Sequence, residues 1–208
     1  LAIDSQNAGT IINVTATDTN LNNAGINAVL ANVDAGTGSL TLTNVTGTNS
    51  GFEGLSGSVA TGGVLNLELD TVQFSGSGED GLNVLVTSAS VFNACIENST
   101  FDGNGFTGIR IDTSDSGTES NVHIEGTSVD GNTEGGLVAN VTASAELNLR
   151  TVNSSFDANG TFGSNDFDGV FVSAADQATA RLLFNTTSAD DNSRNGFNFS
   201  ATNGAYMT

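Results

Sequence analysis

The sequence predicts an all-β solenoid of about seven coils, and three observations support this prediction. A glycine followed by an apolar residue recurs along the chain, at Gly25-Ile26, Gly54-Leu55, Gly81-Leu82, Gly108-Ile109, Gly136-Leu137, Gly169-Val170 and Gly196-Phe197. These glycines lie about 27 to 29 residues apart, with one gap of about 33, and such a period is typical of stacked repeats. Apolar and polar residues alternate after each glycine, as in half-buried strands. Asn, Asp, Ser, Thr and Gly dominate the polar residues and favour turns and strands over helices.

The strand after each glycine presents alternate residues on one face, because strand side chains alternate with a period of two. The inward columns are expected to be Ile26, Leu55, Leu82, Ile109, Leu137, Val170 and Phe197; then Ala28, Gly57, Val84, Ile111, Ala139, Val172 and Phe199; then Leu30, Val59, Val86, Thr113, Val141, Ala174 and Ala201. Outward positions carry polar residues such as Asn83 and Arg110, whereas Val138 and Phe171 would be exposed apolar residues.

Each coil continues with a second strand and a third short segment. The inward pairs of the second strand are expected to be Leu40-Leu42, Leu67-Leu69, Ala94-Ile96, Val122-Ile124, Leu147-Leu149 and Leu182-Phe184. The third segment adds one inward residue per coil, namely Val45, Phe74, Phe101, Val129, Phe156 and Ala189. Three short strands per coil predict a triangular cross-section, in which the coils above and below complete each apolar core. The period from Phe156 has about six extra residues around 161–167, which predict a loop.

The charge balance excludes several classes of partner. The chain has a formal net charge of −19, contains no Lys, and has four Arg as its only strong cations. Such a surface repels nucleic acid and anionic membranes, and no apolar run is long enough to insert into a bilayer. Cys95 is the only cysteine, so no intrachain disulfide forms. We interpret residues 1–208 as one domain, and as a segment of a longer chain.

Several periods resemble the repeat of the right-handed parallel β-helix family. Residues 101–111 (FDGNGFTGIRI), 129–139 and 189–199 have an apolar residue, an Asn three positions later, a short turn and then Gly-Ile-x-Ile or a close variant, and 74–84 and 45–57 match more loosely. The resemblance extends over essentially the whole chain and implies a right-handed parallel β-helix. It also implies that Asn104, Asn132, Asn159 and Asn192 stack as an asparagine ladder at a tight bend, where Asn tolerates a positive φ.

The turns around these asparagines also supply one carboxylate per coil, from Asp102, Asp130, Asp157 and Asp190. Calcium takes six to eight oxygen ligands, and one carboxylate per ~4.8 Å coil supplies few of them. We therefore expect structural turns and no cofactor, with weak calcium binding by these aspartates as the alternative.

The outward positions of the second strand suggest a catalytic hypothesis. They align as Glu68, Cys95, His123, Asn148 and Leu183 in one row, and as Asp70, Glu97, Glu125, Arg150 and Asn185 in the next. Glu97, Glu125, His123 and Arg150 would then lie within about two coils, and carboxylates near an Arg suit acid–base work on a polysaccharide. A zinc site at His123 would be incomplete, because the chain has no second His and only one thiol.

The resembled family includes pectin and alginate lyases, hydrolases similar to polygalacturonase, tailspikes and adhesins, so the fold does not choose the function. The chain lacks the enzymes' motifs, since it has no Lys for Arg-x-Lys and no Pro for Asp-Pro-His. Short turns also leave no deep cleft. We therefore expect a non-catalytic structural or adhesive protein, secreted or at the cell surface, that forms a stalk, a filament or part of a surface layer.

The expected partners are further coils of the same parent chain, other copies of it, or a surface polysaccharide. Solenoid ends without caps expose strand edges that invite such association. The alternative function is a polysaccharide lyase, a glycoside hydrolase or a carbohydrate-binding module that uses the face formed by Glu97, Glu125, His123 and Arg150.

Overall fold

A computed structural model describes residues 1–160 and 167–208. In chain order, the first eight strands are Ala2–Ser5 (β1), Ile11–Asn20 (β2), Val29–Asp34 (β3), Thr37–Thr46 (β4), Leu55–Ala60 (β5), Val64–Asp70 (β6), Leu82–Val86 (β7) and Val91–Glu97 (β8). The remaining strands are Ile109–Thr113 (β9), Glu119–Glu125 (β10), Leu137–Val141 (β11), Glu146–Val152 (β12), Val170–Ala174 (β13), Thr179–Asn185 (β14), Phe197–Ala201 (β15) and Tyr206–Met207 (β16). These described residues contain no apolar helix of membrane-spanning length.

Each coil contributes one strand to each of two parallel sheets. The odd-numbered strands form one eight-stranded sheet and the even-numbered strands form the other, both stacked in sequence order, so the chain makes about seven turns. We call them the odd-strand sheet and the even-strand sheet. Leu137 pairs directly with Ile109, and Val170 pairs with Leu137. The predicted all-β solenoid is thus confirmed.

The third segment of each coil pairs through a single residue rather than along a full strand. Single-residue parallel bridges connect Thr46, Gln73, Thr100, Ser128, Ser155 and Ser188 in one row. Left-handed residues bound this segment on both sides, for example Asn98 (φ 50) and Gly103 (φ 64) in the coil that contains Phe101. Because only four residues remain between these two corners, the segment is too short to form a longer ladder.

The inward columns hold the apolar core. Phe74, Phe101 and Phe156 of the third segment are fully buried, and the rings of Phe74 and Phe101 lie 6.1 Å apart between centroids. The rings of Phe74 and Phe101 therefore pack against each other across neighbouring coils, so neither coil completes its core alone. Outward-facing Val138 and Phe171, which were expected to be exposed, are half-buried.

The first coil does not follow the register expected from Gly25-Ile26. Val29 pairs with Leu55, and Val29 is completely buried whereas Ile26 is 67% exposed. The inward residues are therefore Val29, Ala31 and Val33, and the expected column members Ile26, Ala28 and Leu30 were wrong. Ala28 occupies the position that glycine holds in later coils.

In this first coil the glycine stands at a different position. Ala28 replaces the glycine of later coils, and Gly47 stands where the next coil has a buried Phe. Gly47 lies in register with Phe74, and a methyl group added at Gly47 would lie 2.8 Å from the Cβ of Ala28 and 2.7 Å from the Phe74 ring. The absence of a side chain at Gly47 therefore makes room for Ala28. Val45 was expected to stack with Phe74. It is buried, but it lies in register with Val72, two positions before Phe74.

The register of β12 also differs from the expectation by two residues. Leu149 pairs with Val122, and Thr151 pairs with Ile124, while Leu147 pairs with Ser120. All three side chains still point inward, because a shift by two residues preserves the face. On the outer face, however, the shift moves Arg150 from the row of Glu125 into the row of His123.

The asparagine ladder is present at the turn after the third segment. The amide of Asn104 donates to the Oδ1 of Asn132 at 3.0 Å, and the amide of Asn132 donates to Asn159 at 3.0 Å. The backbone N–H groups of Asn104, Asn132 and Asn159 donate to the next ladder Oδ1 at 2.8 to 2.9 Å.

The ladder explains both the positive φ and the periodic glycine. Positive φ falls on the residue before each ladder asparagine, such as Gly103, Gly131 or Ala158, rather than on the asparagine itself as expected. A Cβ at Gly108 would lie 2.7 Å from the Nδ2 of Asn132. The recurring glycine therefore accommodates the amide of the neighbouring coil.

Candidate functional site

A shallow groove of about 390 Å³ runs across the outer face of the even-strand sheet, from β6 to β12. Its walls and floor are formed by Asn66, Leu67, Glu68, Asn93, Ala94, Cys95, Asn121, Val122, His123 and Asn148. A second depression of about 270 Å³ continues it towards β4 and shares Glu68 and Cys95 with it. The groove therefore follows the long axis of the solenoid, across the strands, and is open to solvent along its length.

A row of four asparagines lines this groove. Asn66, Asn93, Asn121 and Asn148 pair in register on β6, β8, β10 and β12. Each amide donates to the Oδ1 of the preceding asparagine, at 2.9, 3.0 and 2.8 Å in order. We call this set the outer asparagine row. Sequence reasoning did not predict this row, although each of these second strands has an Asn directly followed by an apolar residue, as in Asn93-Ala94 and Asn121-Val122.

The proposed catalytic residues come together next to this row. The Nε2 of His123 lies 3.3 Å from the Oε2 of Glu125, and the guanidinium of Arg150 contacts the same Nε2. Glu97 lies beside Glu125 on β8, and its Oε1 lies 3.3 Å from the Sγ of Cys95. The structure therefore brings all four sequence-predicted residues into one cluster, with Arg150 adjacent to His123 rather than in the row of Glu125.

The thiol of Cys95 is protonated at neutral pH. Burial, the hydrogen bond to Glu97 and the negative charges of Glu97, Glu68 and Glu125 together raise the pKa of Cys95 to about 11, and burial contributes most. Because the thiolate is the nucleophilic form, this cysteine is not activated for covalent catalysis.

The predicted calcium ligands are engaged in hydrogen bonds between coils. Oδ1 of Asp102 accepts from the backbone N–H of Asp130 at 2.7 Å, and Asp130 accepts in the same way from Asp157 at 2.7 Å. Ser128 and Ser155 donate to the second oxygen of Asp130, each at 2.8 Å. Asp157 likewise accepts from the N–H of Asp190 at 2.6 Å. These bonds fit the structural interpretation of the turns, and calcium binding there remains an untested prediction.

A groove of about 400 Å³ on the odd-strand sheet was missed by the sequence analysis. Val138 and Phe171 line it, between the guanidinium groups of Arg110 and Arg194. Arg110 donates to buried Asp80 at 3.2 Å, and Arg194 donates to buried Asp168 at 3.1 Å. The pKa of Asp80 is raised, chiefly by burial, although the N–H of Thr107 and the charge of Arg110 oppose this effect.

These ion pairs hold the two arginines beside the groove. The signal in the sequence was the apolar pair Val138 and Phe171 at outward positions. Residues 161–166, where the longer loop was predicted, lie outside the described part of the chain.

Comparisons with known proteins point to the fold alone. No protein family model matches the sequence, and no curated protein matches it. Among solved structures, the mannuronan C-5 epimerase AlgE6 A-module of Azotobacter vinelandii is similar, with a TM-score of 0.58 at 12% identity. The match covers 95% of this chain and 58% of the module, so the chain spans little more than half of that structure. Strand order, register and this likeness together identify the chain as a right-handed parallel β-helix.

Proposed function

We propose that this β-helix is an adhesive protein, secreted or at the cell surface, that binds a polysaccharide along the outer face of its even-strand sheet. The observation that carries the proposal is the outer asparagine row, which follows the long axis of the solenoid inside an open groove. An amide has two N–H donors and two acceptor lone pairs, and the bonds within the row use only some of them. The remaining groups of Asn66, Asn93 and Asn121 are available in the groove to bind sugar hydroxyls, whereas the amide of Asn148 also bonds to Glu119, Glu146 and Arg181.

The geometry suits an extended ligand better than a compact one. One asparagine recurs per coil, every ~4.8 Å, so identical hydrogen-bonding groups repeat along the groove. A glycan chain that lies along the groove presents hydroxyls with a similar repeat. The solved structure that is similar here is by name an epimerase of mannuronan, and this supports a polysaccharide as the class of ligand.

Charge favours a neutral glycan over a uronate polymer. Glu68, Glu97 and Glu125 lie on the same face, and the chain as a whole is strongly acidic. Anionic polymers are repelled by such a surface unless cations screen it. We therefore expect neutral glycans to bind most tightly, and pectin or alginate to bind only with calcium present.

Binding is tested by affinity electrophoresis of the 208-residue chain in gels that contain neutral glycans, pectin or alginate, with and without calcium. The double variant N93A/N121A removes the centre of the outer asparagine row, and we expect its affinity to fall by about tenfold or more. The matched control is N83A, which removes a half-buried amide from the outer face of the odd-strand sheet. Equal affinity of N93A/N121A and the parent protein for every glycan, or no binding by either, would contradict the proposal.

The second candidate function is polysaccharide cleavage or epimerisation. It is favoured by the cluster in which Glu125 and Arg150 both contact the imidazole of His123 beside the groove. Against it, the groove is open, and catalysis of this kind benefits from the exclusion of water. Incubation with pectin and alginate, followed by analysis of chain length and uronate composition, decides between the two. Turnover that E97Q/E125Q abolishes would establish the enzyme, whereas we expect no turnover.

We also propose that the two ends of the solenoid are covered by further coils or by another copy of the chain. In the last coil Phe197 and Phe199 are 38% and 45% exposed, although they occupy inward columns. Exposed apolar side chains beside an unpaired strand edge favour stacking of another coil. Sedimentation velocity should therefore detect association of the 208-residue chain that increases with concentration. A monomer at all concentrations would contradict this part of the proposal.

A further inference from the structure

The outer face carries four side chains of types that can ligate a metal ion, arranged at the corners of a small rectangle. Cys95 and Glu97 are two residues apart on β8, and His123 and Glu125 are two residues apart on β10. Cys95 pairs in register with His123, and Glu97 pairs with Glu125. Residues two apart on a strand share a face, so all four side chains rise from one side of a rigid sheet.

Two of the distances within this cluster already match those between ligands of one ion, and the others need only small side-chain rotations. The ligand atoms of Cys95, Glu97 and His123 all lie within 4.8 Å of one another. Two pairs are already close, since Sγ of Cys95 lies 3.3 Å from Glu97 and Nε2 of His123 lies 3.3 Å from Glu125. With bonds of ~2.0 to 2.3 Å in a tetrahedral zinc site, neighbouring ligand atoms are separated by about 3.5 Å.

We propose that Cys95, Glu97, His123 and Glu125 form a binding site for zinc or a similar transition-metal ion. The thiolate and imidazole donors select such an ion over calcium, which prefers oxygen ligands. The carboxylates replace the second His that the sequence analysis found lacking. This inference does not depend on glycan binding, because the site uses none of the four amides of the outer asparagine row.

The electrostatics of the face favour a divalent cation. Glu68 is a third carboxylate near the thiol, and its charge is among those that oppose ionisation of Cys95. Because the metal-bound form is the thiolate, binding breaks the S–H bond and releases that proton to the buffer. Affinity should therefore rise with pH, because metal binding releases a proton.

Arg150 competes with the ion for His123. Its exposed guanidinium contacts the Nε2 of His123 and must turn away before that nitrogen can bind a metal. Removal of this side chain should thus tighten metal binding, by loss of both competition and positive charge. Arg181 on the next strand contacts Glu146 and Asn148 instead, so R181A serves as a matched control for charge alone.

The experiment titrates the reduced 208-residue chain with Co²⁺ and Zn²⁺, using absorption spectra and equilibrium dialysis. We expect a thiolate-to-cobalt charge-transfer band and tetrahedral d–d bands, both of which zinc displaces. C95S should lose the charge-transfer band, and H123Q should weaken zinc binding by about 100-fold. R150A should bind more tightly than both the parent protein and R181A.

Binding of cations by scattered carboxylates is distinguished by the same data. E134Q removes a carboxylate from the turn before β11, where Glu134 pairs with Arg110 at 3.4 Å, and should leave the spectrum and the affinity unchanged. Circular dichroism confirms that each variant folds, and a misfolded C95S is replaced by C95A. The proposal is overturned if cobalt gives no thiolate band, or if C95S and H123Q bind zinc as tightly as the parent chain.

Discussion

Two rows of asparagines run along this β-helix, one inside and one outside. The inner ladder of Asn104, Asn132 and Asn159 is buried, and each Oδ1 also accepts a backbone N–H from the neighbouring coil. The members of the outer asparagine row bond mainly to side chains and are half-exposed. Both rows have the same residue type, one residue per coil and similar amide-to-amide distances. The difference is that only the inner ladder satisfies buried backbone, so burial and not residue type determines which row maintains the fold.

The largest effect is expected for N132A in the inner ladder. This change removes the acceptor of the backbone N–H of Asn104, which is left buried without a partner. The side-chain amide of Asn104 also loses its bond to Asn132 and keeps only the bond to the carbonyl of Phe74 at 3.3 Å. Each unsatisfied buried group costs about 1 to 3 kcal/mol, so the free energy of unfolding should fall by about 2 to 5 kcal/mol. Urea denaturation followed by circular dichroism measures it. A loss no greater than that of N121A would remove the distinction between the two rows.

An intermediate effect is expected for D130A at the same turn. Its half-buried carboxylate accepts the N–H of Asp157 at 2.7 Å and the hydroxyls of Ser128 and Ser155. The donors left behind can reach water, so the cost should be about 1 to 2 kcal/mol. The same denaturation experiment places this variant between N132A and N121A, and any other order contradicts the dependence on burial.

A small effect on stability is expected for N121A in the outer asparagine row. Asn121 donates to Asn93 and accepts from Asn148, and both partners are accessible to water after the change. The free energy of unfolding should therefore change by less than about 1 kcal/mol. If glycan binding falls while the free energy of unfolding is unchanged, the outer asparagine row functions in ligand binding. A large loss of stability would instead assign it to the fold.

The smallest effect concerns the pH dependence of Asp102. Burial raises its pKa above 3.8, although the N–H of Asp130 and the hydroxyl of Ser128 oppose this. The folded chain then holds this proton more tightly than the unfolded chain, so the carboxyl stabilises the fold below its ordinary pKa. That contribution is lost as the pH rises through the raised pKa.

The matched variant is D102N, whose amide oxygen can still accept from Asp130. The quantity to compare is the free energy of unfolding of the parent protein minus that of D102N. This difference should be larger at about pH 3 than at about pH 6, by less than about 1 kcal/mol. Denaturation curves at the two pH values measure this difference. An opposite sign would mean that the hydrogen bonds outweigh burial at this turn.

Sequence reasoning predicted the features that the periodic pattern determines. The apolar columns from Leu55 onward and the fully buried Phe101 follow from the alternation of apolar residues and from a period of about 27 to 29 residues. The inner ladder was predicted from the resemblance to the parallel β-helix repeat. The packing at such positions restricts the residue type. Gly108, for example, has no room for a side chain because the amide of Asn132 lies against it. A constraint of that kind is visible in a single sequence.

A register shift by two residues cannot be predicted from the pattern of apolar residues. Leu147 and Leu149 both face inward in either frame, so only the loop before β12 decides where Arg150 lies. The first coil was misread because Ala28 takes the glycine position, which depends on the small residue at Gly47 in a different turn. The left-handed conformation of Thr71 and Ala158 was also not predicted, because neither residue type prefers it.

Stacking in register has a consequence for how such chains change in length. In the core and in both sheets, the paired residues lie about one period apart, as Ile109 and Leu137 do. Removal of one complete period therefore leaves two surfaces that fit each other, while removal of half a period places a strand of one sheet where the stack requires a strand of the other. Genes for this architecture can thus grow or shrink in whole units, and duplication adds length to the structure without the need to design a new interior.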